Sequence, residues 1–174
     1  MNEKKGILYI YADGGTRNNQ NKKNIGSWGA ILRHNKREDF CCGVMNDTTN
    51  NKMELLSIID GLNKVKNHDL ETVVVMDSNY VVQGVNEWSK QWKTNGWKTS
   101  KNKPIANIEY WRWLLDIVSR FSNIRLVWCA GHEDNEGNNE ADLICNQAMD
   151  IGETRKKNLP DSEELKELMK KLYH

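Results

Sequence analysis

A mixed β-sheet carrying helices on its faces is the architecture that this 174-residue sequence predicts. Three observations predict it. Three short apolar or β-branched runs follow one another within residues 7–45, the pattern of an antiparallel meander. Two more such runs, at residues 71–76 and 124–129, lie farther along the chain. Segments with apolar residues at helical spacing separate and follow them, and strands alternating with helices build a sheet covered by helices.

Residues 7–12 are apolar or aromatic and are ended by Asp13, Gly14 and Gly15, which reads as a buried strand entering a turn. Residues 26–32 and 40–45 form the next two strands around a charged link. A helix is predicted over 53–65 because Leu55, Ile58, Ile59, Leu62 and Val65 keep its period, with Asn50 or Asn51 as the cap. The β-branched strand 71–76 ends at Asp77. A helix over 105–121 follows Pro104, strand 124–129 comes next, and a helix over about 138–149 aligns Ala141, Ile144, Cys145 and Ala148. Beyond Asp150 the chain turns polar through Lys157 and Pro160. Asp161 or Ser162 then caps an amphipathic stretch with Leu165, Leu168, Met169 and Leu172. The expected organisation is a domain over 1–150 and a linker with an added helix over 151–174, free either to dock on its own domain or to bind another protein.

With 38% hydrophobic and 28% charged residues, the composition fits neither a disordered nor a membrane protein. The apolar runs are too short to cross a bilayer, and the start lacks the apolar region of a secretory signal, so a cytoplasmic location is expected. Cys41 and Cys42 are adjacent and no two cysteines have CxxC spacing, which predicts reduced thiols. A net charge of +1 leaves any polyanion to be held by a local patch. Residues 88–103 supply one: Lys90, Lys93, Lys98, Lys101 and Lys103 occur with no acidic residue, interleaved with Trp88, Trp92 and Trp97. Cations suit phosphates and tryptophans suit sugars, although a solvated loop over core aromatics has the same composition.

Four carboxylates lack local basic partners. Asp13 and Asp77 each close an apolar strand, where a side chain reaches the sheet edge; an Asx turn or a helix cap would use the same residues. Glu54 and Asp142 border apolar helix faces, and their neighbours three and four residues away include no cation. Glu54 also suits a capping box with Asn51. If the four converge, repulsion forces protonation unless divalent cations intervene. Magnesium takes oxygen ligands, and a pair of such ions can clamp both reacting oxygens of a phosphodiester.

The contexts of these residues resemble ribonuclease HI, the type 1 ribonucleases H. They are Tyr11-Ala12-Asp13-Gly14-Gly15, Thr48-Thr49-Asn50-Asn51-Lys52-Met53-Glu54-Leu55, Asp77-Ser78-Asn79-Tyr80-Val81, and Gly131-His132 followed by Asn138 and Ala141-Asp142. The match is colinear from about residue 7 to 149 and includes Ser27-Trp28-Gly29-Ala30 and Trp97-Lys98-Thr99.

The resemblance implies a ribonuclease H-like fold, with a five-stranded mixed sheet whose first three strands are antiparallel. It implies an endoribonuclease that hydrolyses the RNA strand of RNA/DNA hybrids, leaving 5′-phosphate and 3′-hydroxyl ends. Asp13, Glu54, Asp77 and Asp142 would be catalytic ligands of two Mg²⁺ ions, with Mn²⁺ as a substitute. Asp13 would bridge both ions, Asp142 would hold the one that activates water, and Glu54 and Asp77 the other. His132 would relay a proton or help product leave. Asn19, Asn50, Asn51 and Asn79 would read the 2′-hydroxyl. Thr49 and Asn107 would bind DNA phosphate, and Asn138 would join the substrate-binding set. Trp88, Trp92, Lys93, Lys98 and Lys101 would form the protrusion that grips the DNA strand. No small-molecule cofactor and no membrane are implied, and a monomer is expected.

Some positions depart from the family pattern. Asn18 stands in a long first loop where glycine is common, Asp47 where an arginine often assists DNA binding, Asp134 for a glycine and Asn139 for a glutamate. Two other readings share these features: a DNA-processing nuclease of the same broad fold, and a non-catalytic module that binds hybrid or double-stranded RNA. The Thr48 to Leu55 context and the lysine-tryptophan protrusion favour the hybrid-specific family, and the intact acidic set favours catalysis.

Overall fold

The computed structural model describes residues 3–17, 24–131, 133–155 and 157–172, with the side chain of Leu172 excepted. Strands β1 (Leu8–Arg17), β2 (Ile25–His34), β3 (Arg37–Asn46), β4 (Thr72–Met76) and β5 (Ile124–Trp128) form one sheet in the order β3-β2-β1-β4-β5. The first three are antiparallel neighbours, whereas β4 pairs parallel with both β1 and β5. This is the mixed five-stranded sheet expected.

The first three strands outrun their predicted bounds for a common reason, whereas β4 and β5 keep theirs to within one residue. Pairing continues wherever a neighbour offers backbone partners, even where polar residues end the apolar pattern. Thus β1 does not turn after Ala12 but stays paired with β2 as far as Arg17 opposite Ile25. The charged link between β2 and β3 is the end of a hairpin, with Asn35 at φ 57° in its turn and Arg33 bonded at 2.6 Å to Glu38 directly across. Asparagine tolerates that left-handed conformation.

One face of the sheet carries α1 (Asn50–Asn63) and α4 (Ile108–Ser119). Leu55, Ile58, Ile59 and Leu62 of α1 meet Trp111, Leu114 and Ile117 of α4 over Ile10, Ala12, Val74 and Met76. Thr49, rather than Asn50 or Asn51, caps α1, its hydroxyl accepting the Lys52 N–H at 3.3 Å. The helix predicted from residue 105 starts only at Ile108, because Asn107 sits at φ 59°, outside helical space. Residues 79–95, which show no clear helical period, form α2 (Asn79–Gln83) and α3 (Ser89–Asn95), joined by the π-helical stretch Gly84–Trp88.

The other face carries α5 (Glu136–Thr154), longer at both ends than predicted and capped by Asn135. It passes through residue 150, the expected domain boundary. α6 (Ser162–Leu172) is capped by Asp161, whose carboxylate accepts the Glu164 N–H at 2.9 Å. Leu165 and Met169 are fully buried in a core shared with Ile31, Cys42, Ile144 and Ala148, so α6 docks on its own chain. All four cysteines are free thiols, and Cys41, Cys42 and Cys145 are buried.

Candidate active site

Parallel pairing of β1 with β4 matches Tyr11 to Val75, so two residues farther along each chain bring Asp13 beside Asp77. Asp13 is therefore not a strand end; it lies inside β1 at the level where β4 stops, which opens one side of it. Gly14 brings the third carboxylate in. A methyl group there would overlap the carbonyl of Met53, so glycine lets the start of α1 lie directly on β1, with Glu54 facing Asp13. Carboxylate oxygens of Asp13, Glu54 and Asp77 lie within 4.8 Å of one another. Asp142 approaches from α5 and acts on Asp13 by its charge.

Electrostatics makes this group costly without a cation. Burial first, then the charges of Asp77 and Asp142, push the Asp13 carboxyl up to about 8, although the Gly14 N–H donates to its Oδ1 at 2.9 Å and opposes the rise. Glu54 is held well above the usual carboxylate range by burial and by the charges of Asp13 and Asp77. Its Oε2 is buried with no hydrogen-bond partner among the described residues. No ion pair among the described residues involves any of the four acids, and the cap of α1 is Thr49 rather than a capping box of Asn51 with Glu54. An oxygen-only donor set with an orphaned buried oxygen fits a hard divalent cation.

The other expected residues divide by position. Asn19 and His132 lie outside the described residues, as does Asn18. Thr49, Asn50 and Asn51 are exposed at the start of α1, and Asn50 accepts the Thr16 hydroxyl at 2.8 Å. Asn79 is exposed on the first turn of α2, next to Asp77. Asn107 is half-buried, its amide 3.4 Å from the Tyr80 hydroxyl. Asn138 is buried on α5 one turn before Asp142, with its side-chain oxygen unpartnered among the described residues. Asp47 occupies the bend before Thr48 at φ 53°.

In the protrusion, Lys90, Lys93, Lys98, Lys101 and Lys103 are exposed, and none enters an ion pair among the described residues. Trp88 is 36% exposed, but Trp92 is buried, 6.0 Å from both Trp88 and Trp97 and 5.0 Å from Trp111 by ring centroids. Trp92 thus supports this surface from beneath and is not part of it. Sequence reasoning misses three structural roles. Gly14, which reads as a turn glycine, seats α1 on β1; Gly131, present in a motif only beside His132, and Trp128 lie against Asp77, and only nearness in space reveals that contact.

The fold and the acidic cluster define a nuclease-like α/β domain with the makings of a metal centre. Residues 5–150 match the RNase H family. A ribonuclease H from Ruthia magnifica subsp. Calyptogena magnifica is 41% identical over 143 residues, 82% of this chain and 95% of that protein. Two solved structures share the fold at a TM-score of 0.72 and 23% identity. One is a type 1 RNase H with the type 2 active-site motif, matched over 85% of this chain and 74% of that one. The other is a foamy viral protease-reverse transcriptase in complex with RNA/DNA hybrid, matched over 82% of this chain and 20% of that one. The chain belongs to the ribonuclease H family, enzymes that hydrolyse the RNA strand of RNA/DNA hybrids.

Proposed function

We propose that Asp13, Glu54, Asp77 and Asp142 hold two Mg²⁺ ions, for which Mn²⁺ substitutes, and that the enzyme is a type 1 ribonuclease H leaving 5′-phosphate and 3′-hydroxyl ends. The observation that carries this is the approach of Asp13, Glu54 and Asp77 to within 4.8 Å around an unpartnered buried oxygen of Glu54. When bound, the ions supply an activated water and neutralise the charge on the reacting phosphate oxygens.

The chain's own residues do the rest. Asn50 and Asn51 beside Glu54, and Asn79 beside Asp77, offer amides to the 2′-hydroxyls of the RNA strand, with Asn19 completing the set. Thr49 and Asn107 receive a DNA phosphate, and Asn138 supports the substrate one turn from Asp142. Lys93, Lys98 and Lys101, with Trp88, hold the DNA backbone. His132 accepts or returns a proton as product leaves, a task suited to an imidazole near neutral pH. The cytoplasm is the proposed compartment, supported by the free thiols. Among the described residues, no helix is long and apolar enough to cross a membrane. A monomer is proposed, supported by the use of α6's apolar face within the chain.

The test is hydrolysis of an end-labelled hybrid with Mg²⁺, with Mn²⁺ and with chelator, followed by analysis of the product ends. Cleavage with either ion and none in chelator, leaving 5′-phosphates, is the expected result. Full activity in chelator would refute the metal assignment.

A further inference from the structure

Asp77 stands where the chain leaves β4 for α2, and the segment ending β5 encloses it. The Cys129 N–H continues the ladder by donating to the Met76 carbonyl at 2.8 Å. The next carbonyl, that of Asp77, accepts a bond from a side chain, the indole N–H of Trp128 at 3.1 Å. On the other side, a methyl group on Gly131 would lie 2.9 Å from Asp77 Oδ2, so the backbone of Gly131 runs close along the carboxylate. Trp128 is 52% exposed, and apolar burial therefore does not explain an indole at this place. Its specific contact is the hydrogen bond.

We infer that Trp128 is a positioning residue for the active site: its indole N–H fixes the Asp77 peptide and so aims the Asp77 carboxylate at the point where Asp13 and Glu54 meet it. The inference rests on the proposed metal role of these carboxylates. A ligand's orientation depends on the groups behind it, and loss of such a partner costs about 10- to 100-fold in metal affinity or activity. Trp128 bonds the peptide and not the carboxylate itself, which sets the expected loss at about tenfold, the low end of that range.

Mn²⁺ binding to the full chain, measured by calorimetry and by the paramagnetic resonance of the free ion, separates the possibilities. Trp128→Phe keeps an aromatic ring and removes the donor, Trp128→His keeps a ring N–H, and Trp113→Phe alters a comparably exposed tryptophan on α4. Trp128→Phe is expected to bind Mn²⁺ about tenfold more weakly, with the Michaelis constant for hybrid unchanged and turnover recovering at high Mg²⁺. Trp128→His is expected to recover part of the affinity, and Trp113→Phe to match the parent. If the parent binds no Mn²⁺, the metal reading of the carboxylates fails. If the parent binds and Trp128→Phe binds equally well, or Trp128→His is as weak as Trp128→Phe, the positioning role alone is overturned. Should Trp128→Phe not fold, Trp128→Leu, which also lacks the donor, takes its place in both comparisons.

Discussion

The Asp13 carboxyl stands in an unfavourable electrostatic setting, and its protonation is coupled to the stability of the fold. In the metal-free fold its carboxyl is raised from 3.8 to about 8, first by burial and then by Asp77 and Asp142. The folded chain therefore keeps a proton that the unfolded chain has released. That contribution to stability is complete below the unfolded value and disappears as pH rises through about 8. Thermal melts of metal-free protein should show the melting temperature falling between pH 5 and pH 9, with Mg²⁺ or Mn²⁺ removing most of the fall. A metal-free melting temperature that rises across this range would contradict the burial of these acids. Asp13→Asn should keep the fold, flatten this pH dependence and abolish hydrolysis, because an amide supplies no anionic oxygen to a cation. His132→Ala should retain part of the activity, and an equally severe loss in both variants would contradict their assigned roles. Gly14→Ala tests the close approach of β1 and α1: its methyl would overlap Met53, so the helix must move and carry Glu54 with it. A loss of roughly 1–3 kcal/mol in stability is expected, together with reduced turnover.

At the scale of elements, the protrusion and α6 make separate demands. The exposed lysines around Lys98 should bind by phosphate contacts and counterion release without touching the reacting atoms. Replacing Lys93, Lys98 and Lys101 together with alanine should raise the Michaelis constant for hybrid and flatten its salt dependence, with turnover at saturation nearly unchanged. Unaltered binding at every salt concentration would make these lysines a solvated face. For α6, Leu165 and Met169 are each fully buried, so Leu165→Ala or Met169→Ala should cost about 2–5 kcal/mol in denaturant unfolding while leaving the active-site geometry in place. The amphipathic pattern of α6 was readable from Leu165, Leu168 and Met169, but its docking partner was not. That partner is assembled from β2, β3 and α5, elements distant in sequence.

Across the whole molecule, periodicity located most elements, and three of the four acids singled out in short motifs, Asp13, Glu54 and Asp77, come together in the structure. The convergence itself was not legible from spacing, because Asp13 and Asp77 meet through the register of β1 with β4 and Glu54 arrives through the contact at Gly14. The helical course of residues 79–95 was hidden by a π-helical insertion that breaks the regular period. Composition does not say which tryptophan lies beneath another, so the burial of Trp92 under the protrusion is not readable from it. With a net charge of only +1, the proposed function places affinity for nucleic acid in the protrusion and strand choice in groups that sense the 2′-hydroxyl beside the carboxylates. The most direct measurement is therefore hydrolysis in Mg²⁺ of one labelled sequence presented as RNA/DNA hybrid, duplex RNA, duplex DNA and single strands. The expected result is cleavage confined to the RNA strand of the hybrid. Equal cleavage of duplex DNA, or binding of hybrid with no cleavage in either Mg²⁺ or Mn²⁺, would contradict it.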